Sequence, residues 1–324
     1  MLRVMLNRHP ELAVCGETKF LPRIYSRRSA FGDLARAENR TRAVEAYLAT
    51  NTARRLGMDV DVLRKHLMEH ALSYRDFFAA MLDCYAGQQG KMHGGEKTPQ
   101  HALHAKMLCD WFPECTVIHL VRDPRDSVSS LMNMPWSVHS VLVCARIWRS
   151  NTAAACSISS RSNYLRLKYE ELVREPEVEL RRVCGRLGIG WSAEMVEPAA
   201  SAEPDGWWHR RAHQALTSTR VGSWHRELEP WQAAVVERTA GPWMEELGYE
   251  RREPRAAAEV MMRAVADAVM ETGLQKLFQL PSLLSAAISP AHLAREERLW
   301  ARAVELYGRV RLSAAARSTQ PARR

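Results

Sequence analysis

Apolar positions first recur with helical spacing at the start of the chain. Residues 2–7 run straight into Arg8-His9-Pro10 and read as the end of a helix with no visible beginning. Residues 12–14 form a short apolar strand closed by Gly16. Three helices are predicted next, over residues 33–50, 59–71 and 74–86; Val60, Leu63 and Leu67 share one face of the second, and Ser73 is placed to cap the third. Residues 91–97 are extended, and Pro99 opens a helix to about residue 111. The stretch Cys-Thr-Val-Ile-His-Leu-Val at 115–121 is apolar and β-branched between Pro113 and Arg122-Asp123-Pro124, which predicts a fully buried parallel strand. Helices are expected over 127–132, 138–157, 176–187 and 230–247, with one more strand at 164–167. Residues 200–226 show no clear period, and an Ala-rich helical region runs to about residue 310, broken at Pro281 and Pro290. Strands alternating with helices predict an α/β fold with a parallel sheet.

Length and charge refine this picture. The 324 residues carry a formal charge of +9, which invites an anionic partner without naming it. Residues 255–324 hold 11 basic and 6 acidic side chains, so more than half of the excess lies late in the chain. The last fourteen residues hold four Arg and no acid, and read as a disordered basic tail. No run of six like charges occurs, which argues against a polybasic nucleic-acid arm. The longest uncharged run, residues 127–145, contains Asn133, Pro135 and His139, so no membrane span is expected. The N-terminus has no apolar signal core, and the seven cysteines are scattered without a C-x-x-C pair. Reduced thiols and a cytoplasmic location are expected.

The sharpest chemical signal is the strand-to-helix turn at Arg122. An apolar strand ending in a guanidinium, with a helix starting a few residues on, aims N–H groups and the positive end of the helix dipole at one point. Ser130, eight residues later, is spaced to face the same anion. The same residues also fit a plain turn in which Arg122 and Asp123 form a salt-bridged cap, and spacing alone leaves both readings open.

Valine-Ile-His-Leu-Val-Arg-Asp-Pro-Arg-Asp-Ser-Val-Ser-Ser-Leu at 117–131 resembles the 3′-phosphate-binding motif of sulfotransferases that use 3′-phosphoadenosine 5′-phosphosulfate (PAPS). Asn7-Arg8-His9-Pro10-Glu11 with Cys15-Gly16-Glu17-Thr18 resembles the region after that family's first phosphate loop. Tyr169-Glu170-Glu171-Leu172, Pro176 and Leu187-Gly188-Ile189 resemble a later strand–helix unit. Thr217 to Trp224 resembles the C-terminal cofactor-binding stretch, and Leu247-Gly248-Tyr249 the end of the domain. The pattern is most similar to tyrosylprotein sulfotransferases and related bacterial enzymes.

The resemblance implies a P-loop-NTPase-like parallel sheet flanked by helices over residues 1–250, a helical extension over 251–310 and the tail at 311–324. It implies sulfuryl transfer from PAPS to an acceptor hydroxyl, leaving adenosine 3′,5′-bisphosphate and needing no metal. Glu17 matches the catalytic base and Lys97 the cation that stabilises the transferring group. Arg122, Ser130 and Tyr169 match the 3′-phosphate site, and Ser218, Thr219, Arg220, Gly222 and Trp224 the stretch that closes over the nucleotide. Peptide tyrosine, carbohydrate and small metabolites all remain open as acceptors.

The match breaks in two places. The family's Pro-Arg-Ser-Gly-Thr-Thr-like loop and the strand before it would precede Met1, so the chain is expected to be N-terminally truncated, with upstream codons that encode them. Tyrosylprotein sulfotransferases also pair a cysteine like Cys15 with one just before the lysine, where this chain has Glu96. Gly90 and Gly95 mimic Walker spacing, but Glu96 intervenes before Lys97-Thr98 and no good buried strand precedes them. His93, His101 and His104 with Cys109 and Cys115 lack tetrahedral zinc spacing. The alternatives are a catalytically impaired sulfotransferase-fold protein that binds the nucleotide weakly, and a basic protein that binds nucleic acid or an anionic surface. The helical extension is open to covering the acceptor cleft or to making a homo-oligomer.

Overall fold

The computed structural model describes residues 1–134, 137–197, 218–252 and 258–283, with side chains as far as residue 273. The longer elements, in chain order, are α1 (Leu2–Leu6), β1 (Leu12–Cys15), α2 (Ala37–Leu48), α3 (Val60–His70), α4 (Tyr74–Gln88), β2 (His93–Glu96), α5 (Ala105–Trp111), β3 (Val117–Val121), α6 (Pro124–Met132), α7 (Val141–Cys156), β4 (Tyr164–Lys168), α8 (Tyr169–Arg174), α9 (Pro176–Leu187), α10 (Pro230–Ala240) and α11 (Ala258–Leu283). The expected alternation of strand and helix is present, and the fold is α/β with parallel strands flanked by helices. Ser73 caps α4 as expected, accepting from the Asp76 N–H; Asp59 likewise caps α3, accepting from the Asp61 and Val62 N–H groups, and Gly188 ends α9 in the left-handed conformation.

The chain forms two compact units, one from Met1–Arg122 with Asn151–Val221, the other from Asp123–Ser150 with Gly222–Ala287. In the first, β1 pairs with β2 in parallel, with Leu12 opposite His93 and Cys15 opposite Glu96. β3 pairs in parallel with β4, with Val117 opposite Tyr164 and Val121 opposite Lys168. Strand alternation sends Ile118, Leu165 and Leu167 to one face, where they meet α1, β1 and α9 through Met5, Leu6, Leu12, Leu180 and Val183. Val117 and Tyr164 point the other way, onto Ala105 and Cys109 of α5. α2, α3 and α4 build the largest core around Tyr47, Leu63, Leu67 and Phe77, and the aromatic Phe20 joins it. β2 can lie against α4 only because Gly94 lacks a side chain; a Cβ there would meet the Leu82 carbonyl oxygen at 2.8 Å. The second unit packs Val128, Val141, Leu142, Val235, Val236, Ala264 and Ala268 from α6, α7, α10 and α11.

Several expectations are corrected. β3 is parallel but not fully buried: it starts at Val117, β4 is its partner among the described residues, and Leu120 is 37% exposed. Residues 113–116 turn back instead, with the Cys115 N–H on the Phe112 carbonyl. Residues 99–111 are a 3-10 turn, Pro99–His104, before α5. The helix predicted over 230–247 breaks at Gly241, whose φ of 53° interrupts it ahead of Pro242. Residues 20–31 coil into three short helical turns that the hydrophobic pattern did not announce. α11 runs on through Pro281, while Pro290, the tail at 311–324 and most of the aperiodic 200–226 stretch lie outside the described residues. No helix among the described residues is long and apolar enough to cross a membrane.

Candidate active site

Each strand delivers one predicted residue at or just past its C-terminal end. β1 stops at Cys15 and Glu17 follows; β2 stops at Glu96 and Lys97 follows; β3 leads into Arg122 and β4 into Tyr169. In open parallel α/β sheets this is the end where ligands bind.

Glu17 and Lys97 meet. Lys97 Nζ donates to Glu17 Oε1 at 3.0 Å, with side chains 45% and 35% exposed. The Lys97 N–H continues the β1–β2 ladder onto the Cys15 carbonyl at 3.2 Å. Beneath this pair lies a buried cluster that the sequence reading did not anticipate. Glu96, 5% exposed, accepts at Oε1 from the Thr18 N–H at 3.1 Å, from the Thr18 hydroxyl at 2.9 Å and from the Thr98 hydroxyl. Its Oε2 lies 2.9 Å from His101 Nδ1. Immediately after Thr18, Lys19 holds a left-handed backbone with φ 53°, a conformation costly for a residue with a side chain, and turns the chain into Phe20–Arg23.

Arg122 gathers a second group. Its Nη2 donates to the Arg220 carbonyl at 2.5 Å, and its guanidinium carbon stands 4.5 Å from the centre of the Tyr169 ring, a cation–π arrangement. Ser218 and Thr219 are exposed on the same short turn as Arg220.

The remaining predicted residues belong to the second unit. Ser130 sits half-buried on α6. Gly222 and Trp224 are held by Asp126, which accepts from both of their N–H groups at 2.8 Å and from the Ser223 hydroxyl at 3.3 Å. The buried Trp224 ring stacks on His225 at 3.7 Å and lies 4.1 Å from the Arg125 guanidinium. Asp123 does cap α6, accepting from the Arg125 N–H at 2.9 Å, and it also grips the Arg125 side chain at 3.0 and 2.7 Å. Arg125 reaches Glu237 Oε1 at 2.7 Å.

Other groups have structural partners. His119 Nδ1 is 2.7 Å from the Tyr164 hydroxyl, and burial, with Arg166 nearby, pushes its pKa down to about 4. His93 and His101 turn to different carboxylates, Glu11 and Glu96, and no metal-holding group of three His, Cys, Asp or Glu occurs among the described residues. All seven cysteines are free, and burial raises the Cys15 thiol pKa.

Residues 1–193 match the family model described as Sulfotransferase family. The chain belongs to that family. Protein-tyrosine sulfotransferase A of Caenorhabditis elegans is 23% identical over 206 residues, 60% of this chain and 48% of that protein. Omega-hydroxy-beta-dihydromenaquinone-9 sulfotransferase Stf3 of Mycobacterium bovis is 25% identical over 180 residues, 50% of this chain and 42% of that one. The chain spans about half the length of the curated relatives it matches. Among solved structures, the sulfotransferase domain of the Synechococcus PCC 7002 olefin synthase superposes with a TM-score of 0.55 at 20% identity, covering 77% of this chain and 90% of that domain. This likeness is one of fold.

Proposed function

We propose that this sulfotransferase-family chain moves a sulfuryl group from PAPS to an acceptor hydroxyl, with Glu17 as general base and Lys97 as the transition-state cation. The observation that carries the reading is the Glu17–Lys97 pair, held at 3.0 Å beyond the ends of two parallel strands. The donor set suits a polyanionic nucleotide: Lys97, Arg122 and Arg220 supply positive charge, and Tyr169 supplies an aromatic face. A guanidinium carries five N–H donors, so Arg122 can serve the Arg220 carbonyl and a phosphate together.

When bound, PAPS supplies an activated sulfuryl group whose transfer, like phosphoryl transfer, needs positioning and charge stabilisation. Glu17 takes the acceptor's proton as its oxygen bonds to sulfur. Lys97 has three donors, so it can hold Glu17 and neutralise the oxygen released as the old S–O bond breaks. Arg122 fixes the 3′-phosphate end. Ser130 is proposed as a further phosphate donor, and the Ser218–Arg220 turn as the edge that closes over the nucleotide. Gly222 and Trp224 are proposed to continue that stretch, and in this structure both of their N–H groups serve Asp126.

The test is transfer of labelled sulfate from PAPS to a panel of phenolic, carbohydrate and small alcohol acceptors. Transfer that disappears in Glu17→Gln supports the reading; transfer unchanged by that substitution removes Glu17 from its role.

A further inference from the structure

The Glu17–Lys97 pair poses a problem of precision. Both side chains are well exposed, and an exposed ion pair contributes only about 0–1 kcal/mol. Such a pair cannot hold two long side chains in a reactive geometry by itself. The buried carboxylate one residue before Lys97 can.

We infer that Glu96, with Thr18, Thr98 and His101, is a positioning device that sets the Glu17–Lys97 geometry from below; this rests on the sulfotransfer reading above. The chain connectivity makes the argument. Thr18 follows Glu17, and Glu96 and Thr98 flank Lys97, so one carboxylate ties together the backbone on both sides of the reacting pair. Thr18 and Thr98 are buried, and their hydroxyls have this carboxylate as acceptor.

A carboxylate only 5% exposed must be fully hydrogen-bonded to be tolerated there, and Glu96 has four donors. His101 presents Nδ1–H to Oε2, and its ring is 8% exposed and edge-on to Phe78 at 5.7 Å. Its Nε2 is buried with no hydrogen-bond partner among the described residues, so the ring joins this network through Nδ1. The register gives the device its location: Glu96 lies directly opposite Cys15, so the last rung of the β1–β2 ladder is closed by hydrogen bonds instead of a covalent bridge. A carboxylate gripped by four donors holds the backbone around it, and displacements of about 1 Å near a reacting pair can cost about a hundredfold in rate.

The test uses the full chain and compares Thr98→Val, which removes the hydroxyl at nearly constant volume, with Thr98→Ser, which keeps it. Glu96→Gln is the second perturbation. The expected result is a fall in kcat of about 10–100-fold in Thr98→Val and Glu96→Gln, with KM for both substrates within about twofold and activity restored in Thr98→Ser. A glue role alone would lower the melting temperature while leaving kcat per folded molecule unchanged, and that outcome overturns the inference.

A second readout does not depend on activity. Reductive methylation with ¹³C-formaldehyde labels the seven lysines, and Lys97 is assigned from Lys97→Arg. In Thr98→Val the Lys97 resonance is expected to move to the position it takes in Glu17→Gln, where the ion pair is gone. A resonance unmoved from wild type refutes the positioning role. If the wild-type protein transfers no sulfate, the sulfotransfer reading fails, while this measurement still decides whether Glu96 sets the pair.

Discussion

Replacing Lys97 by Met separates catalysis from stability, because the structure assigns very different magnitudes to the two. The lysine keeps 45% of its side chain in water, and the Glu17 carboxylate it pairs with is itself 35% exposed. Breaking such a pair costs at most about 1 kcal/mol. At roughly 2–4 °C per kcal/mol for a domain of this size, the melting temperature falls by no more than about 4 °C. The rate should respond far more. Removing one preorganised donor from a developing negative charge costs about 10²–10³ in kcat, equivalent to about 2.7–4 kcal/mol. The assay is steady-state transfer of labelled sulfate, with kcat and KM for each substrate beside a thermal melt. Glu17→Gln should give a loss of about 10²–10⁴. The double variant should lose little more than the worse single one if both residues serve one transition state, as proposed. A Lys97→Met enzyme that keeps more than a tenth of wild-type kcat refutes the reasoning. So does one whose whole loss appears as a raised KM, since that marks uniform binding instead of transition-state stabilisation.

Arg122→Ala should weaken binding of adenosine 3′,5′-bisphosphate about 10–100-fold by calorimetry, and Tyr169→Phe, which keeps the ring beneath the guanidinium, by less than about threefold. Unaltered affinity in Arg122→Ala would remove it from the phosphate site. Arg125→Met removes the cation that Asp123 and the Glu237 carboxylate, 2% exposed, share, so urea unfolding followed by Trp fluorescence should show a loss of about 3–5 kcal/mol; under 1 kcal/mol would contradict the buried pair. His119 gives a pH prediction. Its pKa is about 4 in the folded chain against 6.5 for the ordinary side chain, so between those values the unfolded chain binds more protons and stability falls as pH falls. The deficit grows to at most about 3 kcal/mol near pH 4, and His119→Gln should flatten that limb of the stability curve. A variant with the same slope as wild type would show that His119 does not drive it.

What the sequence made legible follows from how far each signal acts along the chain. α9 was readable to the residue because Pro176 starts it and Gly188 ends it, both local devices. The four strand ends were readable because Glu17, Lys97, Arg122 and Tyr169 each follow a short apolar or extended stretch, and resemblance to a family marked those positions. The Glu96 cluster was hidden for the opposite reason. Glu96 sits beside two glycines and one residue before a lysine, and nothing local says that its partners lie at Thr18, 78 residues back, and at His101 on a later turn. Parallel pairing of β1 with β2 creates that proximity, and alternation then fixes which side chains turn inward. Asp126 was hidden in the same way, since its partners Gly222, Ser223 and Trp224 are nearly a hundred residues downstream. A signal was present in both cases: an acidic residue embedded in a motif whose chemistry calls for cations. A buried acid is tolerated only where donors satisfy it, and Glu96 and Asp126 are each multiply hydrogen-bonded. Read that way, the acid inside the Gly-Glu-Lys-Thr-Pro stretch marks a buried framework beside the exposed Lys97, and Asp126 in the Arg-Asp-Pro-Arg-Asp stretch marks the anchor of the Gly222–Trp224 backbone.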